Sequence, residues 1–221
     1  MLYVVSRAVC LALFRVLWRP RIVGRARVPR TGPVILASNH LSFIDSIVIP
    51  LAVPRRVVFL AKAEYWQGRS PKDWPRRLFF AAFAAIPVHR DQQADAQASL
   101  KTALGVLQRG DAFALYPEGT RSRDGRLYRG RTGVGWLALA SGAPVIPVGV
   151  VGTERVQPIG AKVPRIAKVR IEFGEPVDPR AYAHLPPGRA RREITDEVMD
   201  RIAAITGQVR APGYNERIPS A

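Results

Sequence analysis

Two stretches of the sequence hold side chains whose types and spacing could do chemistry. The first is "NHLSFID", residues 39–45, where His40 is followed five positions later by Asp45. An aspartate that accepts the Nδ1 hydrogen of an imidazole fixes its tautomer and leaves Nε2 free to take a proton. It also stabilises the imidazolium once formed, which is the base half of a catalytic triad. Sequence separation does not make the two side chains touch; the turn between them has to fold Asp45 back. Ser42 and Asp45 also match an [ST]-x-x-[DE] capping box, so Asp45 has a competing structural use at the start of a helix. The second stretch is "YPEGTRSRDGR", residues 116–126, with Glu118, Gly119, Thr120, Arg121 and Arg123 in a Gly-containing turn. An Arg fork matches phosphate oxygens, and backbone N–H groups in such a turn can form an anion-binding nest. An ordinary solvated loop is the alternative.

The nucleophile question narrows the chemistry. There is no G-x-S-x-G elbow, and the one cysteine, Cys10, lies in an apolar N-terminal run. A covalent serine or cysteine hydrolase is therefore disfavoured. A base at His40 would instead activate a hydroxyl carried by a substrate, which attacks an acyl or phosphoryl centre directly.

These residues need a scaffold that brings them to one edge. "PVILASN" (33–39), "VVFLA" (57–61), "AFALY" (112–116), "APVIPVGVVG" (143–152) and "KVRIEFG" (168–174) read as strands. Helices are expected over 42–52, within 73–91, over 93–108, over 132–140 and near 188–206. Gly110 is placed to end the third of these, and Ile194, Val198, Ile202 and Ile205 fall on one face of the last. Residues 19–32 read as a connector. The alternation implies an α/β domain with a mixed, largely parallel sheet flanked by helices. His40, Lys62, Arg90 and Arg121 then all follow apolar segments, and ligands of such sheets bind outside the carboxyl ends of the strands.

Composition sets the outer bounds. The 221 residues suit one domain and bury a real core. A formal charge of +17 favours anionic partners. Nucleic acid is disfavoured because no base-stacking aromatic motif accompanies the arginines; anionic lipid fits them better. A single cysteine leaves no intrachain disulfide and no cysteine metal cluster.

The N-terminus "MLYVVSRAVCLALFRVLW" is interrupted by Arg7 and Arg15. A spanning helix wants ~20 mostly uncharged residues, and a central Arg costs about 2.5–3.5 kcal/mol. As a helix, residues 2–18 would present Leu2, Val5, Val9, Leu13 and Leu17 on one broad surface, with Trp18, Arg19 and Arg21 at a headgroup boundary. That pattern suits an amphipathic helix lying in the membrane interface; a core helix is the alternative. The expected organisation is an anchor and connector over 1–24, the α/β domain over 25–210 and a loose tail over 211–221.

Four motifs in order give the chain a resemblance to the 1-acylglycerol-3-phosphate acyltransferase family of glycerolipid acyltransferases, over roughly residues 30–175. "NHLSFID" resembles the H-x-x-x-x-D motif, "IPVHRD" (86–91) the second motif with its phosphate-binding Arg, "YPEGTRSRDG" the E-G-T-R-S motif and "VIPVGVVGT" (145–153) the fourth. The resemblance implies transfer of a fatty acyl group from a thioester, acyl-CoA or acyl carrier protein, to the free hydroxyl of lysophosphatidic acid, giving phosphatidic acid. His40 would be the base and Asp45 its orienting partner. Arg90 and Arg121, helped by Lys62, would hold the acceptor phosphate, while Glu118, Gly119 and Thr120 shape the acceptor turn. Pro147, Phe79 and Phe80 would line the acyl path. His89 departs from the simplest second motif and stands as an alternative base. No cofactor or metal is implied; the thioester is a substrate. The implied location is the cytoplasmic face of a membrane, as a monotopic or peripheral protein binding anionic lipid. Glycerol 3-phosphate or another lysophospholipid remains an alternative acceptor, and a non-enzymatic anionic-lipid binder is the rival from another class.

Overall fold

The computed structural model describes residues 11–12, 14–62, 85–88, 93–161 and 163–216. Their strands are β1 (Arg21–Val23), β2 (Val34–Ser38), β3 (Val57–Lys62), β4 (Ala85–Val88), β5 (Ala112–Leu115), β6 (Val145–Val151) and β7 (Arg170–Phe173). The helices are α1 (Asp45–Ala52), α2 (Gln93–Gln108), α3 (Gly133–Ser141), the single turn α4 (Thr153–Val156) and α5 (Pro187–Thr206). The strands form one sheet in the order β1-β7-β6-β2-β5-β3-β4. Every neighbouring pair is parallel except β6 with β7. The expected mixed, largely parallel sheet flanked by helices is what forms.

Period-two alternation sorts each strand between two apolar layers. Val34 and Leu36 of β2 face one layer with Val48 and Ile49 of α1; Ile35 and Ala37 face the other with Val106, Leu137 and Ile194 of α2, α3 and α5. Both faces are covered, as a parallel sheet requires. β2 is central and wholly buried, so its carboxyl end is a fixed point from which the His40 turn departs.

Three expectations change. Residues 19–32 are not only a connector: β1 forms a parallel edge strand against β7, and Phe14, in a helical segment at 14–18, is fully buried in the first apolar layer. The boundary expected at residue 24 therefore falls inside the folded unit. Within 73–91 only residues 85–88 are described, and they form a strand; the helix expected in that stretch otherwise lies outside the described residues. The run "AIPV" is too short for periodicity to separate the two states, and Pro87 is tolerated because β4 is the sheet edge. The tail is not loose as far as residue 216. Leu127 N–H donates to the Val209 carbonyl, Ala211 N–H to the Leu127 carbonyl and Arg129 N–H to the Gly213 carbonyl, each at 2.9 Å. Ala211 is buried by that docking.

Trp18 donates its indole N–H to the Arg165 carbonyl at 3.0 Å and packs edge-on against Phe14. The rest of the expected interfacial helix, residues 1–10 and 13, lies outside the described residues. Among the described residues no helix is long and apolar enough to cross a membrane.

α3 and α5 meet at Gly135, where an added Cβ would run into the Arg191 carbonyl oxygen. Gly188, near the start of α5, has open space around it. Helix propensity favours alanine over glycine by about 1 kcal/mol at either position. We therefore expect Gly188→Ala to leave stability unchanged or raise it by a few tenths of a kcal/mol. Gly135→Ala should lower it by about 1–3 kcal/mol, because backbone cannot yield as a side chain can. Urea denaturation of the two variants checks this; equal effects would contradict the close helix approach.

Candidate active site

The site begins at the carboxyl end of β2. Asn39 is fully buried. Its Oδ1 accepts Val150 N–H at 2.8 Å, and its Nδ2 donates to the Val150 carbonyl at 2.8 Å and to Gln208 Oε1 at 2.9 Å. This amide clamp ties the end of β2 to β6 and fixes where the next residue starts.

That residue is His40. The chain reverses over residues 41–44 and enters α1 at Asp45, which is fully buried. One carboxylate oxygen, Asp45 Oδ2, lies 2.8 Å from His40 Nδ1 and accepts Leu41 N–H at 2.7 Å and Ser42 N–H at 2.8 Å. A carboxylate only accepts, so in a neutral ring this contact places the hydrogen on Nδ1 and makes Nε2 the accepting nitrogen. The two uses of Asp45 that compete in sequence coexist. Its carboxylate receives the Ser42 N–H as a capping box would, while Ser42 Oγ donates to the Gln157 carbonyl at 2.9 Å rather than closing the box.

The imidazole is half of a stack. Tyr116, just past β5, lies parallel to it at 3.7 Å between centroids and 6° between planes. The phenol oxygen is 2.8 Å from Ser46 Oγ on α1. The imidazole is thereby held in its plane by packing as well as by Asp45. Only 15% of the His40 side chain is exposed.

Glu118 crosses from the loop over residues 116–126 to the His40 turn. It is fully buried. Its Oε1 accepts His40 N–H at 3.2 Å and its Oε2 accepts Tyr128 N–H at 3.0 Å. Burial pushes its carboxyl up to about 7; the two N–H donors pull the other way, and the charges of Asp45 and Asp124 add to the rise. The turn depends on Gly119, whose φ of 80° is left-handed and whose N–H donates to the Tyr116 carbonyl at 3.0 Å. Ser122 N–H returns to the His40 carbonyl at 2.8 Å. The two motif loops are thus joined in both directions.

The loop's cations divide into tied and free. Arg126 is paired with Asp124 at 2.6 Å, and that contact holds the Asp124 carboxyl well below the usual carboxylate range. Arg121 and Arg123 are exposed. Among the described residues no carboxylate or carbonyl engages either guanidinium. Thr120 is half-buried between Gly119 and Arg121.

β2, β5, β3 and β4 run parallel as neighbours, so the His40 turn, the Glu118 loop and the last residue of β3, Lys62, share one sheet edge. β4 ends at Val88, two positions before Arg90. Arg90, His89, Phe79, Phe80 and the Lys62 side chain lie outside what is described. Pro147 is buried in β6 opposite Ala37, and its carbonyl accepts Gly174 N–H at 2.8 Å; these are packing contacts of the sheet interior. His184 is exposed. Among the described residues no group of three His, Cys, Asp or Glu side chains is placed to hold a metal ion. Sequence reading passed over Asn39, Tyr116, Tyr128 and Gln208. Asn39 and Tyr116 directly precede the motif residues and could have been weighed; Gln208 carries no local signal.

The geometry agrees with the comparisons to known proteins. Residues 19–151, well over half of the chain, match the family model described as Acyltransferase. A 1-acyl-sn-glycerol-3-phosphate acyltransferase of Bacillus subtilis is 25% identical over 191 residues, spanning 86% of this chain and 89% of that protein. A lyso-ornithine lipid O-acyltransferase of Rhizobium meliloti is 32% identical over 140 residues, 63% of this chain and 44% of that protein. The chain spans about half the length of several plant relatives it matches. Among solved structures, the 1-acyl-sn-glycerophosphate acyltransferase from Thermotoga maritima has a TM-score of 0.70 at 24% identity, covering 92% of this chain and 79% of that one. At that identity the likeness is one of fold. The family match, the fold and the His–Asp turn converge, and the chain belongs to the Acyltransferase family.

Proposed function

We propose that the chain transfers a fatty acyl group from an acyl thioester, acyl-CoA or acyl carrier protein, to the free hydroxyl of 1-acylglycerol 3-phosphate, giving phosphatidic acid. The observation that carries this reading is the contact between His40 Nδ1 and the buried Asp45, which leaves Nε2 as the base. Nε2 takes the hydroxyl proton as the hydroxyl oxygen attacks the thioester carbonyl. The C–O bond forms and the C–S bond breaks, and the imidazolium returns the proton to the departing sulfur. The products are an ester and a free thiol. Asp45 stabilises the imidazolium during the step. A thioester is already activated, so positioning plus proton transfer is sufficient chemistry.

In this reading Arg121 holds the acceptor phosphate together with Arg90 and Lys62. Glu118 acts through the backbone, holding the His40 turn and the Arg121 loop at a set separation. A second acceptor class is favoured by one observation, the 32% identity with a lyso-ornithine lipid O-acyltransferase. Labelled thioester offered with lysophosphatidate, glycerol 3-phosphate and lyso-ornithine lipid tests the choice. Labelled phosphatidate as the main product supports the first reading, and preferential acylation of lyso-ornithine lipid replaces it.

The membrane reading is supported by the charge of +17 and by exposed apolar side chains. Val16, Ile159, Val163 and Ile166 are each more than half exposed, and the sequence between Arg155 and Arg170 carries no acid. Removing residues 1–18 would strip Phe14 from the core, so surface substitutions make the cleaner test. Val163→Asp with Ile166→Asp should weaken binding to phosphatidylglycerol vesicles several-fold without changing thermal stability; sedimentation of protein with vesicles measures it. Unchanged binding would remove this surface from the membrane face.

His40→Ala should lower acyl transfer by roughly 10²–10⁴ while the fold is retained. Asp45→Asn retains a side chain able to accept N–H bonds, yet it should impair transfer by weakening the hold on the imidazolium. Near-normal turnover by folded Asp45→Asn would reduce Asp45 to a turn-forming residue. Thiol release from acyl-CoA measures both.

Arg121→Lys keeps the charge and loses the planar fork, so it should still raise KM for lysophosphatidate. Arg121→Ala should harm lysophosphatidate far more than an uncharged monoacylglycerol. Equal loss on both would show that Arg121 supports the turn and not the phosphate.

Glu118 gives a pH dependence with a definite sign. Its folded-state value of about 7 lies above the ordinary 4.5, so between those values the folded chain binds more protons than the unfolded one. Stability is therefore highest below pH 4.5 and falls as pH rises through about 7, by about 3 kcal/mol from this group. Glu118→Gln removes the titration and leaves one of the two backbone N–H groups without a carboxylate oxygen. The stability difference between wild type and Glu118→Gln should shrink as pH rises across that window. A difference independent of pH, measured by urea denaturation, would contradict the assignment.

A further inference from the structure

We propose that residues 208–215 form a strap that positions the Arg121 loop for the acceptor phosphate, with Gln208 as its main positioning residue; the proposal rests on the acyl-transfer reading above. Residues 119–131 belong to no helix or sheet strand, so their conformation is set by what holds them from either side. On the catalytic side the holds are Ser122 N–H to the His40 carbonyl, Tyr128 N–H to Glu118 and Arg131 N–H to the Pro117 carbonyl at 2.8 Å. On the other side, Arg192 Nη1 of α5 donates to the Gly130 carbonyl at 2.9 Å, and the remaining holds come from the strap. Leu127 and Arg129 pair with its backbone. Asn215 Nδ2 donates to the Arg121 carbonyl at 3.1 Å. The Tyr214 ring packs against the guanidinium groups of Arg129 and Arg131, 5.4 and 5.5 Å from its centroid.

Gln208 joins the strap to both motifs at once. Its Oε1 accepts Asn39 Nδ2 at 2.9 Å, one residue before His40. Its Nε2 donates to the Gly125 carbonyl at 2.7 Å, at the tip of the Arg121 loop. A single side-chain amide therefore sets the distance from the end of β2 to the tip of the loop. Arg121 is held by its carbonyl while its guanidinium is left exposed. A phosphate clamp needs that combination, since donors placed before the ligand arrives lose less freedom on binding. Among the described hydrogen bonds and ring contacts none runs from these tail residues to His40 or Asp45, so loosening the strap should weaken acceptor capture and leave proton transfer intact.

The test is steady-state kinetics of the full chain on lysophosphatidate and on an uncharged monoacylglycerol, with Gln208→Ala, Gln208→Glu and a chain ending at Ala211. Gln208→Glu keeps the acceptor for Asn39 but sets an oxygen against the Gly125 carbonyl. We expect Gln208→Ala and Gln208→Glu alike to raise KM for lysophosphatidate by about five- to tenfold, the scale of one lost hydrogen bond. kcat should stay within about twofold, and KM for the thioester and for monoacylglycerol should not move. The shortened chain, which lacks Gly213, Tyr214 and Asn215, should show the same split. In an Arg121→Ala background Gln208→Ala should add nothing further.

Wild-type kinetics for Gln208→Glu beside a raised KM for Gln208→Ala would make Gln208 an anchor for Asn39 alone and overturn the strap. A fall in kcat with unchanged KM, or an equal KM rise on both acceptors, would overturn it too. A shortened chain that does not fold leaves the Gln208 pair to decide. The two levels fail separately. A raised KM in Arg121→Ala with wild-type KM in Gln208→Ala rejects the strap alone. An unchanged KM in Arg121→Ala rejects the phosphate clamp, and the strap falls with it.

Discussion

One carboxylate oxygen governs the site. Asp45 Oδ2 is buried and gathers the ring of His40 and the N–H groups of Leu41 and Ser42. Burying a carboxylate without such partners costs several kcal/mol, on the order found for buried ions. The turn over residues 39–45 is the conformation that brings all three donors to that oxygen. The start of α1 places the carboxylate at a helix N-terminus, where the helix dipole adds to its stability. The same contacts that make the turn stable fix the orientation of the imidazole.

The other motif is built around that turn. Glu118 takes the N–H of His40, and Ser122 returns its own N–H to the His40 carbonyl. The loop that carries Arg121 is thus indexed to the backbone N–H and carbonyl of His40. Parallel neighbours β2, β5 and β3 ensure that these loops emerge on one edge. The acceptor's phosphate and its hydroxyl are parts of one small molecule. In the proposed reading, a base and a clamp at a fixed separation would select both the acceptor and the hydroxyl to be acylated.

Much of this was legible in the sequence because the relevant signals are local. The apolar runs of β2, β5 and β6 and the His40–Asp45 and Glu118–Arg121 spacings each lie within about ten residues; the runs form strands, and His40 and Asp45 meet. What escaped depends on distant partners. β1 has three residues, two of them apolar, and becomes a strand only because the edge of β7 is there to pair with. Residues 211–215 carry glycine and proline and fall in what reads as a loose tail; backbone bonds to Leu127 and Arg129 across some eighty positions order them. Asn39 reads as an ordinary turn residue until Val150 and Gln208 supply its three hydrogen bonds. Tyr116 reads as the end of a strand, and only the fold lays it flat against His40.

The central claim is that Asp45 holds the proton of neutral His40 on Nδ1 and leaves Nε2 as the base. The direct measurement is long-range proton–nitrogen correlation NMR of the imidazole groups in uniformly labelled protein. Only three histidines are present, so His89→Gln and His184→Gln variants assign the His40 signals. At a pH where the ring is neutral, the account predicts the Nδ1–H tautomer for His40, lost in Asp45→Asn in favour of Nε2–H. An Nε2–H tautomer in the wild-type protein would contradict it, because Nε2 would already carry a hydrogen and could not take the hydroxyl proton.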